Sequence, residues 1–228
     1  MIPLRDANPT RRPAVLTLLL IVACVGIFLY ELGVERSGGE RALFLFFLDY
    51  GVVPRDLTAA LGRGDLLSGE VAAVVTSMFL HGGWLHLGGN MLYLWIFGDN
   101  LEKVMGAARF ALFYVVCGLV ASFAHIAFGP GSSIPAVGAS GAISGVLGGY
   151  LLLFPHNRVR VLMLGGITHV PAIVVLGFWI VIQLINGVGS VTATTETAGV
   201  AYMAHIGGFV AGLVLVKLMA PPRRLAVA

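Results

Sequence analysis

The chain has 228 residues, 58% of them hydrophobic and 11% charged, with a mean hydropathy of +0.94 and a formal net charge of +3. A water-soluble domain of this size has too little polar surface to cover so many apolar side chains, so the composition excludes a soluble globular protein and indicates a polytopic membrane protein. The positive charge carries no nucleic-acid signal, because it follows the alternation of the spans.

Crossing the hydrocarbon takes about 20 apolar residues. Six stretches are predicted to do so, at about 13–33, 84–101, 108–128, 139–155, 169–187 and 201–220. The first runs too long for a signal peptide and lacks a small-residue cleavage site. With the N-terminus cytoplasmic, the inner side holds Arg5, Arg11, Arg12, Lys103, Arg109, Arg158, Arg160, Lys217, Arg223 and Arg224, or 10 of the 14 Lys and Arg. The outer side keeps Arg36, Arg41, Arg55 and Arg63, so both termini are expected inside. Spans two, four and six then all begin at the outer face, and polar groups in their first turns share one layer of the membrane.

Residues 1–12 read as a short basic cytoplasmic tail. Span one ends near Glu31 and carries Cys24, which, like Cys117 in span three, is expected to pack as a small hydrophobe. The 34–80 connection is long enough to suggest a functional loop. Its stretch Ala42-Leu-Phe-Leu-Phe-Phe-Leu-Asp-Tyr50 is too apolar for water and too short to span, and reads as a short interfacial helix or a re-entrant piece.

Span two opens with His81-Gly-Gly-Trp-Leu-His-Leu-Gly-Gly-Asn90. His86 and Asn90 lie four apart, on one helical face, where two donors can cradle a developing oxyanion. His81 and His86 are five apart, a poor spacing for a helical metal pair, and no metal is assigned to them. At the inner end of the span, Asp99 and Glu102 are expected to satisfy backbone donors or to pair with Lys103 and Arg109. His125 in span three has no partner at a telling spacing and reads as structural.

The connection before span four, Phe128-Gly-Pro-Gly-Ser-Ser-Ile-Pro-Ala136, carries no charge and is expected to dip below the surface, giving span four a late start. That span contains Gly138-Ala139-Ser140-Gly141, followed by Ser144, Gly145 and Gly149. Small residues four apart in an apolar helix ordinarily serve close packing. A serine between glycines at a helix start also suits a nucleophile, since spare backbone N–H groups point at an anion beside it. Pro155-His-Asn-Arg-Val-Arg160 reads as an inner turn with His156 solvated. Span five carries Trp179 and Gln183, and the 188–200 loop looks flexible. Span six places His205 about one turn below the outer surface, ahead of Gly208 and Gly212.

One layer therefore holds Ser140, His205 and the His86/Asn90 pair. Serine needs a base to take its proton, and His205 is the candidate. No acid is expected in an outer helical half, and Glu70 and Glu196 fall in outer loops, so the reading is a Ser–His dyad and not a triad. The oxyanion would be met by His86, Asn90 and the backbone N–H of Ser140.

The chain resembles the rhomboid intramembrane serine proteases in their six-span bacterial form. The resemblance rests on His81 with His86-Leu-Gly-Gly-Asn90, Gly98 with Glu102 and Gly106, Gly138-Ala-Ser-Gly141, and Ala204-His205 with Gly208, across roughly residues 76–220. It implies an all-α membrane protein with a six-transmembrane-helix rhomboid-like bundle over 13–220, cytoplasmic tails at 1–12 and 221–228, and an interfacial outer loop at 34–80. It implies Ser140 as nucleophile and His205 as base. His86, Asn90, Gly138 and Ala139 would lie at the oxyanion, with His81, Gly141 and Gly208 in support. Cleavage of single-span membrane-protein substrates near their outer end, without cofactor or nucleic acid, in a bacterial inner membrane, is likewise implied. So is a lateral gate made by span five and the loop after it. Where some relatives carry an aromatic residue stacked on the histidine, this chain has Ser144, and Tyr202 or a hydrogen bond from Ser144 is the expected substitute. The competing readings are a catalytically silent binder of transmembrane helices and a transporter, which would need ionisable residues at mid-depth.

Overall fold

The computed structural model describes residues 1–8, 13–192 and 200–221, without the side chains of 190–192. The basic residues Arg11, Arg12, Arg223 and Arg224 and the acid Glu196 lie outside the described residues, as do most of the 188–200 loop and nearly all of the 221–228 tail. Helices dominate. In chain order they are α1 (Val15–Tyr50), α2 (Pro54–Gly62), α3 (Gly69–Thr76), α4 (Trp84–Tyr93), α5 (Asp99–Met105), α6 (Ala107–Phe128), α7 (Ser140–Leu153), α8 (Ala172–Thr192) and α9 (Tyr202–Met219). A π-helical turn, Leu94–Gly98, joins α4 to α5 into one continuous rod. Strands β1 (Ile2–Asp6), β2 (Arg158–Met163) and β3 (Gly166–Pro171) add a small sheet.

Four of these helices, α1, α6, α8 and α9, are long and apolar enough to cross a membrane, and the bent pair Gly69–Phe79 and Trp84–Met105 makes a fifth crossing if taken as one. The remaining expected span, span four, is α7, which has 14 residues. At about 1.5 Å per residue it covers roughly 21 Å, short of the roughly 30 Å hydrocarbon, so it cannot cross unaided. It sits in the middle of the bundle, buried along Gly141–Tyr150, with α9 and α6 packed on it. A short central helix begun late is what the uncharged 128–136 connection suggested.

Glycine sets how closely the central helices pack. A Cβ on Gly208 would run into the Gly141 carbonyl, one on Gly212 into the Gly145 backbone, and one on Gly148 into the Phe209 carbonyl. The α7 and α9 backbones therefore touch directly, as the small-residue spacing predicts.

The expected 34–80 loop is mostly helical. The chain kinks at Gly39, where φ is 72°, and the apolar 42–50 stretch continues as helix to Tyr50. Helices α2 and α3 follow, then a 3₁₀ turn over Ser77–Phe79. This assembly grips the connection that leads into α7. Val52 and Ala136 exchange backbone hydrogen bonds of 3.0 and 2.8 Å, the Arg55 N–H donates to Ser132 O at 3.0 Å, and the Gly138 N–H donates to Ser77 O at 2.8 Å. The long connection thus anchors the segment before Ser140.

The sheet replaces the expected inner turn. In Arg158-Val-Arg-Val161 the valines are buried and the arginines exposed, the period-two alternation of a strand with one covered face. Strand β2 pairs antiparallel with β3 through a tight turn at Leu164-Gly165, so span five begins at Ala172 and not at 169. On its other edge β2 pairs with β1, from Ile2 against Leu162 to Asp6 against Val159. The start of the expected basic tail is thereby part of the fold. Asp6 accepts hydrogen bonds of 2.8 Å from the Tyr150 hydroxyl and from Asn100 Nδ2, tying β1 to the ends of α7 and α5 away from Ser140. Burial raises the Asp6 carboxyl above its ordinary value, against the opposing pull of the Tyr150 hydrogen bond.

Glu102 uses its carboxylate on the start of α1, accepting from the N–H of Leu16 (2.9 Å), the N–H of Thr17 (2.8 Å) and the Thr17 hydroxyl (2.8 Å). Those N–H groups open a helix and have no partner within it, so an acid from α5 caps α1. Asp99 pairs with Lys103 at 3.3 Å. Cys24 and Cys117 are buried and unbridged, and His156 is exposed, each as expected.

The backbone contact predicts a sharp contrast between two glycines. Gly212→Ala should lower stability in detergent by about 3 kcal/mol, the upper range for forcing atoms into a filled site. Gly26→Ala, where an added Cβ meets nothing within 4 Å, should leave it unchanged or raise it by roughly 0.5–1 kcal/mol through helix propensity. Thermal unfolding of the two variants checks this, and equal effects would remove the glycine contact as the determinant of helix spacing.

Candidate active site

Ser140 is the first residue of α7, and His205 lies in the first turn of α9. The Gly208–Gly141 contact brings these two helix starts together, and Ser140 Oγ stands 2.8 Å from His205 Nε2. The hydroxyl is half-buried and the imidazole buried. As the opening residue of α7, Ser140 has no partner for its backbone N–H within the helix. Ala139 before it is fully buried.

Across from this pair, α4 presents His86 and Asn90 to the backbone at Gly138. A Cβ on Gly138 would fall 2.6 Å from His86 Nε2 and 3.7 Å from Asn90 Nδ2. With φ at +128°, that position is doubly suited to glycine. The Gly82 N–H donates to His86 Nδ1 at 3.4 Å, so Nδ1 is the acceptor and the proton sits on Nε2, the atom facing Gly138. Asn90 Nδ2 is buried without a hydrogen-bond partner. Two donors therefore stand open beside the serine loop.

His81 backs His86, with ring centroids 5.2 Å apart. Its Nδ1 meets Phe79 O at 3.1 Å, and its backbone N–H donates to Glu31 at 3.1 and 3.3 Å to the two carboxylate oxygens. Glu31 corrects the expectation that no acid lies in an outer helical half. It is 1% exposed, inside α1, and holds the turn between the Ser77–Phe79 helix and α4. Its carboxylate is spent on the His81 backbone and not on His205. Glu70, placed in a loop by the sequence, is in the first turn of α3.

His205 is supported from α8. Its Nδ1 lies 2.8 Å from Gln183 Oε1, and the Trp179 ring lies tilted against it with centroids 5.8 Å apart. The residue in the aromatic position of some relatives, Ser144, donates to Ser140 O at 2.6 Å and does not reach the imidazole. Tyr202 stands edge-on at 6.4 Å. The sequence had placed Trp179 and Gln183 on span five without a role. The signal was their four-residue spacing, which puts an amide and an indole on one face of a helix next to α9.

A cavity adjoins the hydroxyl, lined by Ser77, Gly118, Ser122, His125, Gly138 and Ser140 among others. His125 thus faces the site's surroundings. Among the described residues no group of three or more His, Cys, Asp or Glu is placed to hold a metal ion.

Comparison with known proteins finds one family and several of its members. The Rhomboid domain family matches residues 68–222. The chain is 30% identical to the rhomboid protease GluP of Bacillus subtilis over 183 residues, covering 79% of this chain and 33% of that protein. It is 30% identical to the mitochondrial Rhomboid protein 1 of Saccharomyces cerevisiae over 153 residues, 65% of this chain and 42% of the other. To RHOMBOID-like protein 5 of Arabidopsis thaliana it is 32% identical over 156 residues, 68% and 46% of the two chains. The chain thus spans a third to just under half the length of these three relatives.

The buried carboxylate behind His81 generates a stability prediction. Glu31→Ala should destabilise the protein by roughly 2 kcal/mol, as for loss of a hydrogen bond to a charged group, and Glu31→Gln by less because an oxygen remains to accept. Equilibrium unfolding of both variants in detergent decides it, and an alanine variant as stable as the parent would show that the His81 turn stands without its acid.

Proposed function

The chain belongs to the rhomboid family, and on that premise we propose that it is an intramembrane serine endopeptidase, with Ser140 as nucleophile and His205 as general base. The observation that carries this reading is the 2.8 Å approach of Ser140 Oγ to His205 Nε2 within a multi-pass membrane protein. Attack on a peptide carbonyl transfers the hydroxyl proton to Nε2 and forms a tetrahedral oxyanion. Nε2–H of His86, Nδ2 of Asn90 and the backbone N–H of Ser140 are the donors available to that charge. The imidazolium then protonates the leaving amine, and water resolves the acyl-enzyme by the same exchange in reverse.

The substrates are single-span membrane proteins, cleaved near the outer face of what we take to be a bacterial inner membrane. No cofactor is needed for this chemistry. A helical peptide bond has its carbonyl occupied by the helix ladder, so the substrate must unwind at the cut, and helix-weakening residues there favour it. Lateral admission past α8 suits a helix arriving from the lipid, since Ile173, Val174, Phe178, Val181 and Ile185 leave one side of α8 uncovered.

Co-expression with a panel of single-span reporters, alongside a fluorophosphonate probe, is the direct test. Wild type should cleave at least one reporter and label covalently, while Ser140→Ala and His205→Ala should do neither. Asn90→Ala should retain part of the activity, losing about 10²–10³ at most, the range for one oxyanion donor. Folded wild-type protein that neither labels nor cleaves would favour the silent binder of transmembrane helices.

A further inference from the structure

We propose that Gln183 is a positioning residue that, with Trp179, makes α8 the third partner of the Ser140–His205 pair by holding the imidazole in the one tautomer that can accept the serine proton. The inference rests on the protease reading and extends it to a residue outside the serine, histidine and asparagine set.

A neutral imidazole has one N–H and one bare nitrogen, and a base is useful only if the bare one faces the hydroxyl. His205 presents Nε2 to Ser140 Oγ and Nδ1 to Gln183 Oε1, both at 2.8 Å. If Gln183 offers its oxygen, Nδ1 must carry the proton and Nε2 is free to accept. If the amide were turned, its NH₂ would demand the opposite tautomer and the base would be lost.

The amide cannot turn freely, because its other end is engaged. Gln183 Nε2 donates to the Trp179 carbonyl at 3.4 Å, one helical turn back on α8. With the donor end committed to the helix, the oxygen end is left for His205. Both Gln183 and His205 are buried, at 7% and 9% exposure, so water does not compete strongly for either atom. The same turn of helix lays the Trp179 ring against the imidazole and Phe209. The hydrogen bond crosses from α8 to α9, so the base is oriented only while α8 is docked.

The test uses full-length protein in detergent, with Gln183→Leu, which keeps the bulk and removes the acceptor, and Gln183→Glu, which keeps an oxygen there. Gln183→Leu should lower kcat on a single-span reporter, and the fluorophosphonate labelling rate, by about 10–100-fold, the cost seen when partners that orient metal-bound histidines are removed. KM and the melting temperature should stay put, and Gln183→Glu should restore most of the rate. The ¹⁵N spectrum of His205 in wild type should show Nδ1 protonated, and in Gln183→Leu that single form should be lost. A leucine variant at wild-type rate overturns the proposal, and so does a wild-type spectrum with the proton on Nε2. Should leucine cost stability along with rate, the glutamate variant and the wild-type spectrum carry the decision. Wild type that fails to label at all sinks the protease reading instead, while the spectrum still reports the tautomer.

Discussion

The site depends on the contact between the backbones of α7 and α9. Two helices with ordinary side chains between them sit about 8–10 Å apart at the axes, which leaves a serine and a histidine on facing turns to bridge the gap with their own reach. Here Gly141 and Gly145 of α7 meet Gly208 and Gly212 of α9 with no side chain between. The contact nearest the helix starts, Gly208 on Gly141, lies one residue from Ser140 and three from His205. Close packing and the approach of Ser140 to His205 are therefore one feature. The glycine stripe brings the helices into contact, and the serine occupies the end of the stripe where the chain turns into the helix.

The helix that carries the serine is too short to be fixed by the bilayer, so protein must hold both its ends. At the Ser140 end the 51–55 segment and Ser77 take up backbone groups of the incoming loop, which gives the long connection between the first two spans a mechanical role. At the other end Tyr150 donates to Asp6 of β1, which is paired in turn with β2. α4 is set separately, through Glu31 and the His81 turn, so the two donors His86 and Asn90 are placed against Gly138 by a different set of contacts from those that place His205. α7 is the common member, and each partner reaches it through its own scaffold.

Much of this was legible in the sequence because membrane burial makes polar residues conspicuous. In a chain 58% hydrophobic, a serine between glycines and histidines in first turns stand out, and although each alone reads as packing, together in one layer they point to a site. The four residues named from span topology, residue type and spacing, Ser140, His205, His86 and Asn90, do lie around one loop. What escaped was of two kinds. Arg158-Val-Arg-Val161 carried the alternation of a strand, but a six-residue signal between two apolar spans reads more easily as a turn, and its partner β1 lies some 150 residues away in sequence, beyond any local pattern. Glu31 and Gln183 escaped for the opposite reason. What each does depends on an atom it meets elsewhere in the fold, the His81 backbone N–H in one case and His205 Nδ1 in the other. Local sequence has no access to that atom.

The choice of an amide beside the imidazole has a physical logic of its own. A carboxylate there would stabilise the imidazolium of the proposed reaction, but it would have to stay charged in a lipid-surrounded site at a desolvation cost of several kcal/mol. A neutral amide avoids that cost and gives up the charge stabilisation. Amides are ordinarily poor replacements for the acid of a catalytic triad: exchanging the triad aspartate for asparagine drops the rate about 10⁴-fold because the NH₂ group selects the wrong tautomer. The Trp179 carbonyl offers a way around this, since it occupies Gln183 Nε2 and leaves only the oxygen to meet His205. An acceptor that is neutral and can face only one way is then compatible both with burial in an apolar bundle and with the proposed base, whose Nε2 lone pair must stay turned towards Ser140.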